Sequence, residues 1–552
     1  MTYNSGTATD YLDMLSQLVQ VVTSRNLASI TLVAGGSGYE VSEILNIDNT
    51  GSTRTHDAKI EVLTVDGGGA ILTARVSRGG AYTVDPTDVT AAATTSTNLL
   101  ASGAAVASAN GTGATFDLTF AGTGWIVRRR TKKAVSAVVA NGGAGYTNGA
   151  TVTLSPTGSV KGFAGQDAQF TLTVVATVVT AVTVVGATDG NYEEPPTNPN
   201  SPSGGGGSGL QLTITYADDT TSDQVLVLEG QGTGGTEDIL VGIRTFNELD
   251  VSGLNTVRNW QLFAMLGYNA TLPLHQQAFV SPGFNADGSI HNTEGAFMVL
   301  KPSTAFPIVW RIQATARRFC LYVKVEDASF AYYPSMHLGH LNPFGTSTEQ
   351  PYPIFVCGAT SRRNSWYLDA NIGRMSGLTD VFNVTGRTGP AFAYLLNAWR
   401  EFTNANVSDG VSPTRTGQRN FIVWPIGRPL RTGALVDDQV VGLPTAGVGL
   451  SLDAILPEDG IPPGSQEALF YPTENSGDDL RILLPATVMA TETSPFIFEL
   501  VGELEGVFWI TKDGSPTINS EATFLGQDNH RYTVLQNGNR TATTSYLALR
   551  EN

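Results

Sequence analysis

Ile30-Thr31-Leu32-Val33-Ala34-Gly35-Gly36-Ser37-Gly38-Tyr39 returns downstream as Ala137-Val138-Val139-Ala140-Asn141-Gly142-Gly143-Ala144-Gly145-Tyr146. Each is an apolar run ending in Gly-Gly-x-Gly-Tyr. Short apolar, β-branched runs closed by glycine clusters are strands that end in turns. Glycine reaches positive φ without a Cβ clash, as tight turns between twisted strands require. The correspondence continues outward. Asp57-Ala58-Lys59-Ile60-Glu61-Val62 parallels Asp167-Ala168-Gln169-Phe170-Thr171-Leu172, and Gly80-Ala81-Tyr82 before Pro86 parallels Gly190-Asn191-Tyr192 before Pro195 and Pro196. Gly113 to Phe120 and Gly209 to Tyr216 close the two copies. An internal repeat of this length fixes the organisation before anything else does: two β modules, 28–120 and 134–216, each resembling a doubled hairpin.

The remainder divides around them. Residues 1–27 carry an N-terminal helical segment, 121–133 a connecting basic strand, and 217–552 a large C-terminal β region holding one large sandwich or two smaller ones. The expected fold is mainly β: multi-domain antiparallel β-sandwich modules with one short N-terminal amphipathic helix. Composition agrees. Charged residues make up only 15 % of the 552 residues, against about 25 % in ordinary domains. Glycine is abundant at 61 residues, while 41 % of the chain is apolar, which disfavours disorder.

In the helical segment, 9–23, Tyr11, Leu15, Leu18 and Val22 recur at helical spacing, with Thr9 as the expected N-cap and Asp10 and Asp13 in the first turn. This apolar face either packs on its own domain or meets a neighbouring subunit. Gly124-Trp125-Ile126-Val127-Arg128-Arg129-Arg130-Thr131-Lys132-Lys133 is the one dense positive run. On a chain of net charge −17, Arg128, Arg129, Arg130, Lys132 and Lys133 form either a docking strip for an acidic patch on another copy or partner, or internal pairs with nearby acids. Residues 193–209 have linker composition but fall inside the second repeat, so they read as a long flexible hairpin loop. Tyr39, Tyr82, Tyr146 and Tyr192 follow the glycine turns; their rings either cover turn backbone or offer a platform to a glycan.

Tests for chemistry give little. Gly230-Gln231-Gly232-Thr233-Gly234-Gly235 has the letters of a dinucleotide loop, but strand-like Ile239-Leu240-Val241-Gly242-Ile243 follows where a helix is needed, and Glu229, Glu237 and Asp238 would repel a pyrophosphate. His337 and His340 are spaced as a metal pair might be, without evident further ligands nearby. Cys320 and Cys357 are the two cysteines; one bridge between neighbouring strands stays open. No nucleophile elbow occurs, and nothing in the sequence proposes an enzyme, a cofactor or a bound metal. The acidic balance disfavours nucleic acid and anionic membranes. The N-terminus lacks a secretory pattern and no window of about 18 apolar residues occurs, so no membrane insertion is expected.

The Gly-Gly-x-Gly-Tyr units resemble β modules inserted into structural proteins of tailed bacteriophages, and the main chain resembles a family of phage virion, tail-associated proteins. The similar stretches are the early helix, Gly124-Trp125-Ile126-Val127, Leu228-Glu229-Gly230, Glu237 to Thr245, Asn259-Trp260, Arg317-Arg318-Phe319, Tyr352-Pro353 and Tyr532 to Leu549. The resemblance implies that residues 28–120 and 134–216 flank the Trp125 strand as add-ons to an older body formed by the helix and residues 217–552. It further implies a non-enzymatic particle component of the tail tip, baseplate or neck, assembled in the host cytoplasm, whose partners are copies of itself and other virion proteins. The alternatives are a receptor- or glycan-binding appendage touching a host surface glycan, or a head decoration protein.

Overall fold

The computed structural model describes residues 1–97, 111–156, 160–161, 166–219, 225–232, 237–249, 256–278, 280–281, 283–290, 295–300, 308–326, 331–332, 335–345, 353–358, 393–396, 402–404, 420–425, 483–491, 498–510, 521–536 and 546–551. The fold is mainly β, with several antiparallel sheets and, among the described residues, one short α-helix, Tyr11–Thr23.

The helix begins one residue later than Thr9 would place it. Asp10 is the N-cap, its carboxylate accepting from the N–H groups of Leu12 and Asp13, while Thr9 donates its own N–H to Asp13 at 2.8 Å. A carboxylate outcompetes a hydroxyl here because it is a charged acceptor at the positive end of the helix dipole.

Three sheets make the body. The first runs Thr2–Ala8, Ile308–Ala314, Arg318–Glu326, Ser335–His340, Ile354–Cys357, Ala393–Leu396 and Phe402–Asn404; the second runs Trp125–Arg130, Val225–Gly230, Ile239–Leu249, Thr256–Met265 and Ala296–Leu300. Strand alternation sends Phe319, Leu321 and Val323 of the first sheet into one apolar core with Leu228, Val241, Ile243, Trp260 and Leu262 of the second. The helix completes that core. Arg318, Cys320 and Tyr322, on the opposite face, turn toward a third sheet built from Asn420–Pro425, Leu483–Thr491, Phe498–Ile510, Tyr546–Arg550, Arg531–Gln536 and Glu521–Leu525. Arg318 donates to the Glu505 carbonyl and Gln313 to that of Arg550, which ties the third sheet on through polar contacts. The stretch 392–402, helical or extended by sequence, contains the strand Ala393–Leu396, and Phe402 opens the next; residues 392 and 397–401 lie outside the described residues.

The modules interrupt this body on paired stems. The first enters after the helix and leaves before Trp125, with Arg25 facing Gly122 across Arg25–Ser37 and Thr112–Gly122. The second enters and leaves through Lys132–Ala144 and Ser208–Asp218, with Lys132 facing Asp218. Their strand orders correspond. The first runs Thr53–His56, Ala81–Val84, Arg25–Ser37, Thr112–Gly122, Ala92–Thr97, Ile44–Ile47, Lys59–Val65 and Ile71–Arg78. The second runs Val160–Lys161, Tyr192–Glu194, Lys132–Ala144, Ser208–Asp218, then Ser203–Gly204, Thr151–Thr153, Gln169–Val175 and Val178–Val184, the junction at Ser208–Asp218 being made by the single bridge of Asn200 with Leu212. Even the register breaks recur, at Leu27/Ser29 and Leu32/Ala34 in one stem and at Ala134/Ser136 and Val139/Asn141 in the other. β-Bulges set strand twist, so shared bulges mean a shared curvature.

The linker-like stretch 193–209 is not a flexible loop. Asn200 pairs through its backbone with Leu212, Asn198 exchanges two side-chain hydrogen bonds with Ile214 at 2.7 and 3.0 Å, and Ser203–Gly204 pairs with Thr151–Thr153. Proline cannot donate to a ladder; the asparagine amide supplies both donor and acceptor where backbone pairing fails. This segment covers the edge of Ser208–Asp218 where Ala92–Thr97 covers the first module's.

Each module closes its own apolar core, one around Phe116, Ile60 and Tyr82 and the other around Phe170, Leu212 and Tyr192. Replacing 132–218 with a short Gly-Ser bridge is therefore expected to leave the body folded. Hydrogen exchange should show the strands Ile239–Leu249 and Arg318–Glu326 as protected as in the parent, and loss of that protection would refute module independence.

Candidate functional site

The four turn tyrosines are structural. Tyr39, Tyr82, Tyr146 and Tyr192 are all buried. A Cβ built on Gly111 would come within 2.3 Å of the Tyr39 ring, one on Gly80 within 2.5 Å of Tyr82, one on Gly207 within 2.5 Å of Tyr146, and one on Gly190 within 2.3 Å of Tyr192. The rings lie on glycine backbone that no other residue could leave open. Tyr82 and Tyr192 each accept a hydrogen bond from the N–H of an alanine 24 residues upstream, Ala58 at 2.9 Å and Ala168 at 2.7 Å. Tyr39 likewise accepts from Ala114 at 3.1 Å. The glycan-platform reading of these residues is thereby corrected: their ring faces are spent on the modules' own cores.

The apolar helix face is likewise internal. Tyr11, Leu15, Leu18 and Val22 lie in the core shared by the first two sheets, so they are not available to a neighbouring subunit. An apolar stripe on a helix does not say whether its cover comes from the same chain.

The basic run faces the chain's own acids, as in the internal-pair reading. Arg128 pairs with Glu229, Lys132 with Asp218, and Lys133 with Asp189 and Asp219 at 3.8 and 3.4 Å. Arg129 is buried, donating to the carbonyls of Ala270 and Leu272 at 3.2 and 2.8 Å and stacking over Tyr268. Arg130 is half-buried on the same strand, opposite Leu226. The reason is placement. Trp125–Arg130 is the edge strand of the body's second sheet, flanked in sequence by the two modules, and its cations meet acids that sequence distance had hidden.

The remaining motifs also resolve. Gly230 ends a strand and Ile239–Leu249 is another strand, while Glu237 pairs with Arg317 at 2.7 Å; residues 233–236 of the glycine loop lie outside the described residues. Ser335–His340 is a strand, and alternation separates its two histidines: His337 Nδ1 is 3.1 Å from Cys320 Sγ, whereas His340 lies 3.8 Å from Glu237. Burial holds His337 well below the usual imidazole range and His340 down at about 4, against the pull of Glu237. Among the described residues no three His, Cys, Asp or Glu side chains group to hold a metal ion, and no helix is long and apolar enough to cross a membrane.

Cys320 and Cys357 form no disulfide and are buried, on strands kept apart by the strand that carries His337. The bridge left open by sequence would need neighbouring strands. Burial raises both thiols above their ordinary range. Neither is expected to react with a thiol reagent at neutral pH until denaturant is added, when both should; titration with a chromogenic disulfide checks this.

Sequence reasoning missed the residues that join the modules to the body. Arg75 donates to Glu61 at 3.0 and 2.6 Å and to Glu551 at 3.2 Å; Arg531 also donates to Glu61, and Thr533 to Glu551. The Glu61 and Arg75 side chains are only 3 % and 7 % exposed. This network seats the outer face of Lys59–Val65 and Ile71–Arg78 on the C-terminal sheet. Asn4 adds a second joint, bonding Asn26 and the backbone of Gly80. In the second module, Glu193 pairs with Arg244 at 2.5 Å; burial raises its carboxyl pKa although Arg244 opposes the shift. A signal existed in the repeat: Glu61 stands where the second copy has Thr171, a charge the module fold does not need.

Compared with protein-family models and with curated proteins, the chain matches none.

Proposed function

We propose that this chain is a non-enzymatic structural component of a tailed bacteriophage virion, placed in the tail at its tip, baseplate or neck, and that it works by repeated protein–protein contacts in a symmetric assembly. The observation that carries the reading is the duplication: two modules of one strand order, each on a two-strand stem, each with an apolar core of its own beside the core of the body. Such a chain multiplies outer β surface. Identical contacts repeated around an axis then close into rings or collars. The resemblance to phage tail-associated proteins points the same way. The particle is assembled in the host cytoplasm, with copies of this chain and other virion proteins as partners.

A receptor- or glycan-binding appendage remains the alternative, although the four tyrosines that suggested it are buried. A head decoration protein is a variant of the first reading. Mass spectrometry of purified virions, calibrated against a tail-tube protein, tests the proposal and separates it from head decoration. A three-, six- or twelvefold copy number is expected; hundreds of copies would indicate head decoration, and absence from the particle would overturn the proposal.

A further inference from the structure

The third sheet lies on the first as a separate layer. None of its described residues belongs to the body's apolar core, and Tyr532, Val534 and Ala548 form a small core of their own with Leu483, Phe508 and Phe524. Polar contacts join the two sheets. Besides the Arg318 bond to the Glu505 carbonyl, Gln313 donates to the carbonyls of Gly506 and Arg550 at 3.4 and 2.6 Å, and Arg311 pairs with Glu521. Arg318 Nε, Gln313 Oε1 and His337 Nε2 are buried at this seam without a hydrogen-bond partner among the described residues. Polar interfaces of this kind permit relative motion of the parts they join. The strand Ser335–His340 leads directly into the bridge between the layers, because Asn342–Pro343 pairs with Phe498–Ile510 of the third sheet.

We infer that this seam is acid-sensitive, with His337 as its trigger, so that acidification favours lifting of the third sheet from the first. His337 sits between Cys320 and Cys357 in register, its Nδ1 3.1 Å from Cys320 Sγ and its ring edge-on to Phe355 at 5.3 Å. An imidazolium needs an acceptor at each nitrogen, and Nε2 has none in the closed seam. The titratable and charged groups around it are Arg318, Cys320 and Tyr322 on one neighbouring strand and Cys357 on the other, with Glu505, Arg550 and the Met1 amino group at the seam. Burial and the like charge of Arg318 both oppose protonation, and no carboxylate among the described residues counters them. Burial of the Met1 amino group acts in the same direction. His340 lies on the opposite face with Glu237 and Arg317, outside the seam. A lifted sheet returns His337 to an ordinary value of about 6.5. Closure is therefore at full strength above that pH and weakens as pH falls below it, since only the open state takes up the proton.

Amide exchange of the full chain at pH 7 and pH 5, corrected for the intrinsic rate at each pH, tests the trigger. Carboxylates ordinarily titrate below this window. Freeing one imidazole should raise the opening equilibrium about twentyfold across it, seen in Phe498–Ile510 while Ile239–Leu249 of the body keeps its protection. His337→Asn and His337→Phe do not titrate, and each should cut that response by about the same factor; circular dichroism checks that each keeps its β spectrum. Deuterium uptake at imidazole C2, followed by mass spectrometry of the parent, needs no variant and should show His337 titrating well below the ordinary imidazole range. Exchange in Phe498–Ile510 that ignores acid overturns the inference. So does a folded variant that responds as strongly as the parent, or a His337 that titrates in its ordinary range while the third sheet stays protected.

Discussion

Glu61→Gln is expected to loosen the first module from the C-terminal sheet by about 3–5 kcal/mol, the cost of removing one partner from a buried charge network. The Glu61 carboxylate receives hydrogen bonds from Arg75 and Arg531. Without its charge, the buried Arg75 and the partly exposed Arg531 face each other across a neutral amide, with Glu551 still pairing Arg75. The penalty is local, so a single melting temperature is the wrong readout for a chain of several cores. Amide exchange should accelerate in Lys59–Val65, Arg531–Gln536 and Tyr546–Arg550 while the body core around Trp260 keeps its protection. The repeat supplies the control. Thr171→Ala, at the corresponding position of the second module, should change stability by less than about 0.5 kcal/mol. Equal effects at the two positions would refute a docking role for Glu61.

The tyrosine clamps give the second large effect. Tyr192→Ala should destabilise the second module by about 3–5 kcal/mol, the usual cost of emptying a buried aromatic site, because the ring fills the space over Gly190 and packs edge-on to Tyr216 at 5.9 Å. Tyr192→Phe keeps the ring and removes only the acceptor for the Ala168 N–H, so about 1–3 kcal/mol is expected from one buried donor left unpaired. Exchange at Ala168 and along Gln169–Val175 measures both. The corresponding Tyr82 variants should lose more in the phenylalanine case, because the Tyr82 hydroxyl also donates to Asn49 at 2.8 Å. If Tyr192→Phe leaves the Ala168 amide as slow as the parent's, the hydroxyl is not the clamp.

Much of the architecture was legible because it follows from local rules. The Gly-Gly-x-Gly-Tyr runs report backbone sterics: Gly36, Gly38, Gly143 and Gly145 all have positive φ, and no neighbour is needed to predict that. The helix was visible from its 3.6-residue period, and the strand character of Ile239 to Ile243 was enough to dismiss a phosphate loop. The two readings of the helix face, and of Arg128 to Lys133, could not be separated from sequence because each depends on which surface lies opposite. Residues 193–209 misled for a related reason. Their prolines and glycines describe a segment that cannot form a regular strand, but not that Asn198 and Asn200 dock it on one.

By itself, then, the sequence determined the β character, the duplication and the positions of the turns, since these depend on φ limits and side-chain alternation within a few residues. Only the tertiary structure decided that the Trp125 strand belongs to the body's sheet, that the cations are neutralised internally, and that Glu61, Arg75, Arg531 and Glu551 meet. A charge or an apolar face specifies what kind of neighbour it needs; which neighbour it gets is fixed when distant strands pack together.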